Sequence, residues 1–470
     1  MPERRVTIYR GKSECTLSPI VAKNGKLPLM QGMTDVFTSR SKAFTDKAAR
    51  GEKAPRARHG SSFFNVALCR TRLARFALLS SLVFAVACET QKQEKQQVAT
   101  TPSTALPTQT PSGELPTHKS EKIDLNNPEA CVACHAPIVA EWKTSMHSQA
   151  HHKSDPIYAG IRKIRSKKEG ADIQKLCAGC HHPRELNDLE STIAHQGVSC
   201  VSCHAVSAVD PKKRGAQALT WATPGTLSGV HETTNGMSSP HKLGAPAPHL
   251  KDGSSICLAC HGELIQPNGV PICTTGSEHK TAKGTQTCVE CHMPVVTGSS
   301  TTGLDRASHR AHIFLGPRRL YNGHEEQREL LGEKTIELQG ELKGVDLSLS
   351  LKNLSAHSVP TGFPGRQAFI EISAQKGDKE IWTKSVPFTK SYVDKDGKPT
   401  IAPFSVALKS DTRLKPGETR QLEFKLPAPA DRVSVKLVFR ALPTKLAKKL
   451  GLADSNLNKP QVLWEKTITP

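Results

Sequence analysis

Aromatic residues make up only 4% of the 470-residue sequence, with 4 Trp, 4 Tyr and 13 Phe. Methionine is scarce at 6 residues, and 43 acidic residues fall well short of 64 basic ones. The main apolar run, Phe76 to Ala87, is far below the ~18 residues that a membrane-spanning helix needs. The aromatic shortage matters most between about residues 121 and 330, where Gly, Pro and Lys are plentiful instead. That inventory does not build a conventional side-chain core. Something other than side chains has to supply apolar surface there.

Cysteine is not scarce. Of 14 Cys, ten fall into a Cys-x-x-Cys-His pattern that occurs five times: Cys131/Cys134/His135, Cys177/Cys180/His181, Cys200/Cys203/His204, Cys257/Cys260/His261 and Cys288/Cys291/His292. Thiols three residues apart face one side of a helical turn, so both can add to the two vinyl groups of one porphyrin. The adjacent His then supplies a proximal nitrogen to the iron. Zinc knuckles share the Cys spacing, but a zinc site has no need of a His directly after its second Cys. Five covalently bound haem c groups are therefore expected, and they would fill the interior that the side chains leave short.

The start of the chain reads differently. Residues 1–69 are basic and lack sustained periodicity, so they are expected to be a non-structural upstream segment. Residues 70–88 have a basic start, a short apolar stretch and small residues before Cys88, the pattern of an export signal. Ala85-Val-Ala-Cys88 resembles a bacterial lipobox, which makes Cys88 the expected lipidation site; an ordinary signal peptide cut nearby is the plainer alternative. Residues 89–120 are Gln/Lys-rich and then Thr/Pro/Ser-rich, and read as a disordered linker. The expected location is outside the cytoplasm, facing the periplasm or the cell surface, on a lipid anchor, with the outer membrane as the expected membrane.

The formal charge is +21, of which residues 1–88 carry +11, leaving +10 for the rest. Haem propionates consume much of that, so the basic balance is no argument for nucleic acid. Beyond the ten motif cysteines, Cys88, and Cys15 and Cys69 upstream, Cys273 alone is left over and reads as a small buried hydrophobe.

From about residue 331 the period changes to two. Leu347, Leu349 and Leu351 alternate with polar residues, as do Leu422, Phe424 and Leu426, then Val433, Val435, Leu437 and Phe439, then Val462, Trp464 and Lys466. Turn signals such as Asp394-Lys-Asp-Gly397 separate these runs. The expected fold class is an α plus irregular haem domain (121–330) with almost no sheet, followed by an all-β sandwich domain (331–470). A helical insertion is expected near Thr444–Leu452.

After residue 88 there are 14 non-motif His but only three Met (Met146, Met237, Met293), so His is the expected distal ligand. Several segments carry a resemblance: Cys131-Val-Ala-Cys-His135 with Trp142-Lys-Thr-Ser-Met-His147, Gly197-Val-Ser-Cys-Val-Ser-Cys-His204, Ser239-Pro-His241, Thr287-Cys-Val-Glu-Cys-His-Met-Pro294, His309-Arg-Ala-His-Ile-Phe-Leu-Gly316 and His357-Ser-Val-Pro-Thr-Gly362. Together they resemble bacterial multihaem cytochromes c related to the tetrahaem electron carriers of hydroxylamine oxidoreductase. The resemblance implies distal ligation by His147, His195, His241 and His312, with His279 and His357 as further candidates. His151, His152, His182 and His249 are expected at the surface or behind the ligands.

Irons held by two imidazoles have no open position, which favours electron carriage over catalysis. Expected partners are redox proteins, either other cytochromes or a quinol-linked complex of a respiratory chain. The alternative is a multihaem oxidoreductase that reduces a small nitrogen or sulfur oxyanion at one five-coordinate haem. Multihaem nitrite reductases mark that haem with Lys in place of the motif His, and all five motifs here keep His.

Overall fold

A computed structural model of the protein describes residues 123–233, 239–282 and 286–470. The upstream segment, the signal, Cys88 and the linker lie outside the described residues.

Each motif sits on a helix. Four close one: Ile173–His181, Cys200–His204, Ser255–His261 and Cys288–His292. The first motif opens Val132–Lys143 with Cys131 at its N-cap. In that helix His135 leaves helical geometry (φ −118°, ψ 36°) just before Pro137, so the chain kinks at the motif histidine. Capping boxes start two of the short helices, Ser199 with Ser202 and Thr287 with Glu290.

The expectation of almost no sheet in this region is corrected. Four two-stranded ribbons cross it, pairing Val206–Val209 with Leu219–Trp221, Thr226–Leu227 with Lys242–Leu243, Glu263–Ile265 with Pro271–Thr274, and Val295–Thr297 with Ser308–Arg310. They satisfy backbone groups in connections that would otherwise leave them unpaired at half-buried positions.

The strands after residue 335 are β1 (Ile336–Lys343), β2 (Asp346–Asn353), β3 (Gln367–Lys376), β4 (Lys379–Phe388), β5 (Lys390–Val393), β6 (Pro399–Thr400), β7 (Ala407–Asp411), β8 (Thr419–Lys425), β9 (Arg432–Arg440) and β10 (Gln461–Ile468). They form three antiparallel sheets in the orders β8-β2-β1, β4-β3-β9-β10 and β6-β5-β7. The alternating residues of β2, β3 and β9 point into one apolar core, where Leu347, Leu349, Leu351, Ile370, Ile372, Val433, Val435 and Leu437 are buried. A helix, Thr444–Leu450, interrupts the path to β10 and ends on Gly451 at φ 73°.

The alternating run at Val462, Trp464 and Lys466 lies in β10. A register shift between Leu437 and Val438 changes which residues face inward, so Leu463 and Ile468 are buried while Lys466 is exposed.

This core does not stop at residue 331. Ile157, Leu315, Leu320 and Tyr321 belong to it. The Tyr321 hydroxyl donates to Lys459 O (2.9 Å) and accepts from Ala441 N (3.1 Å), which ties the motif-bearing region to the sheets. Among the described residues no helix is long and apolar enough to cross a membrane.

Candidate haem-binding site

The five motifs converge on one cavity of about 2680 Å³. Small-ligand pockets run to roughly 300–1,000 Å³, so this space is several times larger. All ten motif cysteines are of intermediate exposure, and all ten, together with the five motif histidines, wall it. Cysteine side chains also meet between motifs: Cys131 with Cys200, Cys180 with Cys260, and Cys257 with Cys288.

Four of the five motif histidines are oriented by backbone. Nδ1 pairs with Ser300 O in His135 (3.1 Å), Ala150 O in His181 (2.9 Å), Ser228 O in His204 (2.8 Å) and Leu315 O in His292 (2.5 Å). A ring whose Nδ1–H is given to a carbonyl keeps its Nε2 lone pair for a metal, the arrangement that fixes the tautomer of a ligating His. Thiol pairs, oriented imidazoles and a large walled space fit haem c.

Five of the six expected distal histidines line the cavity: His147, His241, His279, His312 and His357. Three face motif histidines across it. Ring centroids lie 6.3 Å apart for His204 and His312, 6.1 Å for His261 and His147, and 6.1 Å for His292 and His357. Two imidazoles bound to one metal from opposite sides, each through a bond of about 2.0–2.1 Å, hold their ring centres roughly 6 Å apart. Nδ1 of His312 pairs with Arg310 O (2.9 Å) and that of His357 with Ser358 O (3.1 Å), which again leaves Nε2 free. Among the described residues, neither His135 nor His181 forms a comparable pair; His181 instead stacks on Tyr158 at 3.7 Å. His279 has its Nε2 engaged by Gln286 O (2.9 Å), and His241 holds Lys242 O through Nδ1 (3.3 Å).

His195 does not line the cavity and lies beside His151 and Glu190. Of the two places expected for His151, His182 and His249, the surface is corrected, because all three are buried, and a position behind the ligands remains. Short local segments carry these rings inward against one another or against neighbouring backbone, which spacing along the chain does not reveal. Cys273 also differs from the expected buried filler: it is half-buried and walls the cavity.

Burial sets the charge state of the facing rings. It pushes His147 down to about 3, helped by His261, His292 and His312 nearby. Burial likewise brings His312, His261 and His357 to about 4. All are neutral at pH 7 and can ligate a metal.

Several positioning residues were not foreseen. Glu141 accepts from His312 N (2.8 Å) and pairs with His309 Nε2 (2.9 Å), holding the His309–His312 segment to the first motif's helix. Buried Arg319 joins Thr144 O (2.6 Å) to Ile313 O (2.9 Å). Phe314, at φ 49°, packs edge-on to His147 with centroids 4.2 Å apart. Trp142 Nε1 donates to Val198 O (2.9 Å), and Val198 N donates to His147 O (3.0 Å). Gly197 permits that approach: its φ is +64°, and a Cβ there would lie 2.5 Å from His147 O. Glu278 reaches the loop after His357, accepting from Ser358 N (3.1 Å) and Thr361 Oγ1 (2.6 Å) while paired with Arg413 (2.7 Å).

The profile of the family described as "Cytochrome c554 and c-prime" matches residues 130–205, the span of the first three motifs. No curated protein matches significantly. Among solved structures, the chain is similar to a penta-heme cytochrome c552 from Thermochromatium tepidum, with a TM-score of 0.60 and 23% identity over 73% of this chain and 98% of the other. Family match, shared fold and five attachment motifs around one cavity together support a multihaem c-type cytochrome.

Proposed function

We propose that the chain carries electrons by outer-sphere transfer through five covalently held haems, as one component of a respiratory chain outside the cytoplasm. The observation that carries this reading is the trio of facing imidazole pairs, His204/His312, His261/His147 and His292/His357. Bound haem supplies one-electron iron chemistry, with axial ligand, burial and hydrogen bonding setting each potential. The chain's own residues attach it through ten cysteines, orient the rings through backbone carbonyls and enclose the site. Two imidazoles per iron leave no position for a substrate, so these three sites suit carriage.

The cysteine contacts connect motifs one with three, two with four, and four with five, which supports close neighbours within the set. His241 and His279 are proposed as the remaining distal candidates, since both wall the cavity. The lipobox-like Cys88 and the linker support a periplasm-facing or surface lipoprotein, tethered to the outer membrane and meeting another cytochrome or a quinol-linked complex. The residue pattern supports a haem-bearing part over 121–330 and a β part over 331–470.

The test is haem-to-protein quantitation with spin-state spectroscopy on protein matured in a cytochrome-assembling host. Five haems per chain, mainly low-spin and unmoved by nitrite or hydroxylamine, are expected. A colourless product overturns the haem reading. A high-spin signal that shifts with those anions moves the protein to the oxidoreductase alternative.

A further inference from the structure

Four histidines gather behind the second motif, away from the cavity wall. His151 is wholly buried, and its ring centre lies 4.0 Å from that of His152, 4.6 Å from His195 and 5.1 Å from His182. Glu190 meets this group from the turn before the Thr192–His195 helix, which Ser191 caps by accepting from Ala194 N. Its carboxylate oxygens lie 2.9 Å from His152 Nε2 and 3.9 Å from His195 Nε2. One ring nitrogen of His151, one of His195 and a Glu190 oxygen all lie within 4.8 Å of one another.

Two ring nitrogens in this group are buried without a hydrogen-bond partner: Nε2 of His195 and Nδ1 of His152. Buried polar atoms are nearly always paired, so orphans beside a carboxylate point to a missing partner that accepts lone pairs.

We propose that His151, Glu190 and His195 form a site for a divalent transition-metal ion of the zinc class, with His152 as a further donor from its contact with Glu190. Two imidazoles and a carboxylate make a His₂Glu donor set. His151 now uses Nε2 on Leu189 O (2.9 Å) and Nδ1 on Lys153 N (3.2 Å), so ligation exchanges one of these bonds for the ion. Surrendering the longer one keeps the ring anchored to a carbonyl, as ligating histidines are. Lys153 (3.1 Å) and Arg162 (3.8 Å) balance Glu190 in the metal-free form, and the ion takes over that role. The site is separate from the haem cavity, whose wall includes none of its three ligands.

Haem-loaded protein is stripped with a chelator, dialysed against micromolar zinc and analysed for metal. One zinc per chain is expected in addition to haem iron, with only nitrogen and oxygen neighbours at about 2.0–2.1 Å by X-ray absorption. Glu190→Gln and His195→Ala are each expected to weaken zinc binding by at least about tenfold, with the haem spectrum unchanged. No retained zinc, retention equal to wild type in Glu190→Gln, or sulfur in the zinc shell each overturns the site. Glu190 is half-exposed, so Glu190→Gln decides the matter if His195→Ala fails to fold.

Discussion

His357 faces His292 across the cavity at 6.1 Å with ring planes 25° apart, although one lies in the β region and the other closes a motif helix. If both bind one iron, the β region supplies an axial ligand and does not merely brace the haems. His357→Ala is then expected to turn about one haem in five from low-spin to high-spin, as seen by electron paramagnetic resonance, with added imidazole restoring it. An unchanged low-spin signal would remove His357 from the ligand set.

Glu141 holds the backbone of His312 rather than a haem. Glu141→Gln is expected to cost about 1.5–3 kcal/mol in unfolding free energy, the range for hydrogen bonds to charged groups. It should also raise the high-spin fraction while leaving haem content intact. A stability loss with no spectral change would make Glu141 purely structural.

Glu278 gives the acid limb of stability. Burial would raise its carboxyl, but Arg413 and the hydroxyls of Thr274 and Thr361 outweigh burial and hold it at about 2. A depressed carboxyl stabilises the fold above its unfolded value of about 4.3 and loses that contribution as pH falls through 2. Glu278→Gln is expected to cost about 3 kcal/mol near pH 7, the low end for breaking a buried pair, because Asp411 still faces Arg413. Between about pH 4.3 and 2 the variant should show a shallower stability slope than wild type. Denaturant unfolding across that window measures both.

Gly197→Ala tests the junction between the first distal segment and the third motif. The left-handed backbone and the close His147 carbonyl predict a loss of about 1–3 kcal/mol. Perturbation of the haem signal assigned to His147 and His261 should accompany it. A variant as stable as wild type would show that the contact relaxes without consequence.

What could be read in advance was local. The motif helices follow from three-residue spacing, and β2, β8 and β9 from apolar alternation, because both patterns repeat along the chain itself. That Leu463 of β10 turns inward was not legible, because the bulge opposite Leu437 and Val438 breaks the alternation without a mark in the sequence. His195 was placed on iron by resemblance, whereas its helical turn carries it towards His151 and Glu190. Glu141, Glu278 and Arg319 escaped notice because their partners are remote in sequence, so no spacing rule connects them.

The contacts of Cys131 with Cys200, Cys180 with Cys260 and Cys257 with Cys288 bear on how the protein is made. A chain that reached this arrangement bare, in an oxidising compartment, would hold thiols of different motifs ready to join as disulfides. Each such crosslink would block two attachment points together. Haem attachment at both cysteines of a motif would keep these thiols from pairing in that way.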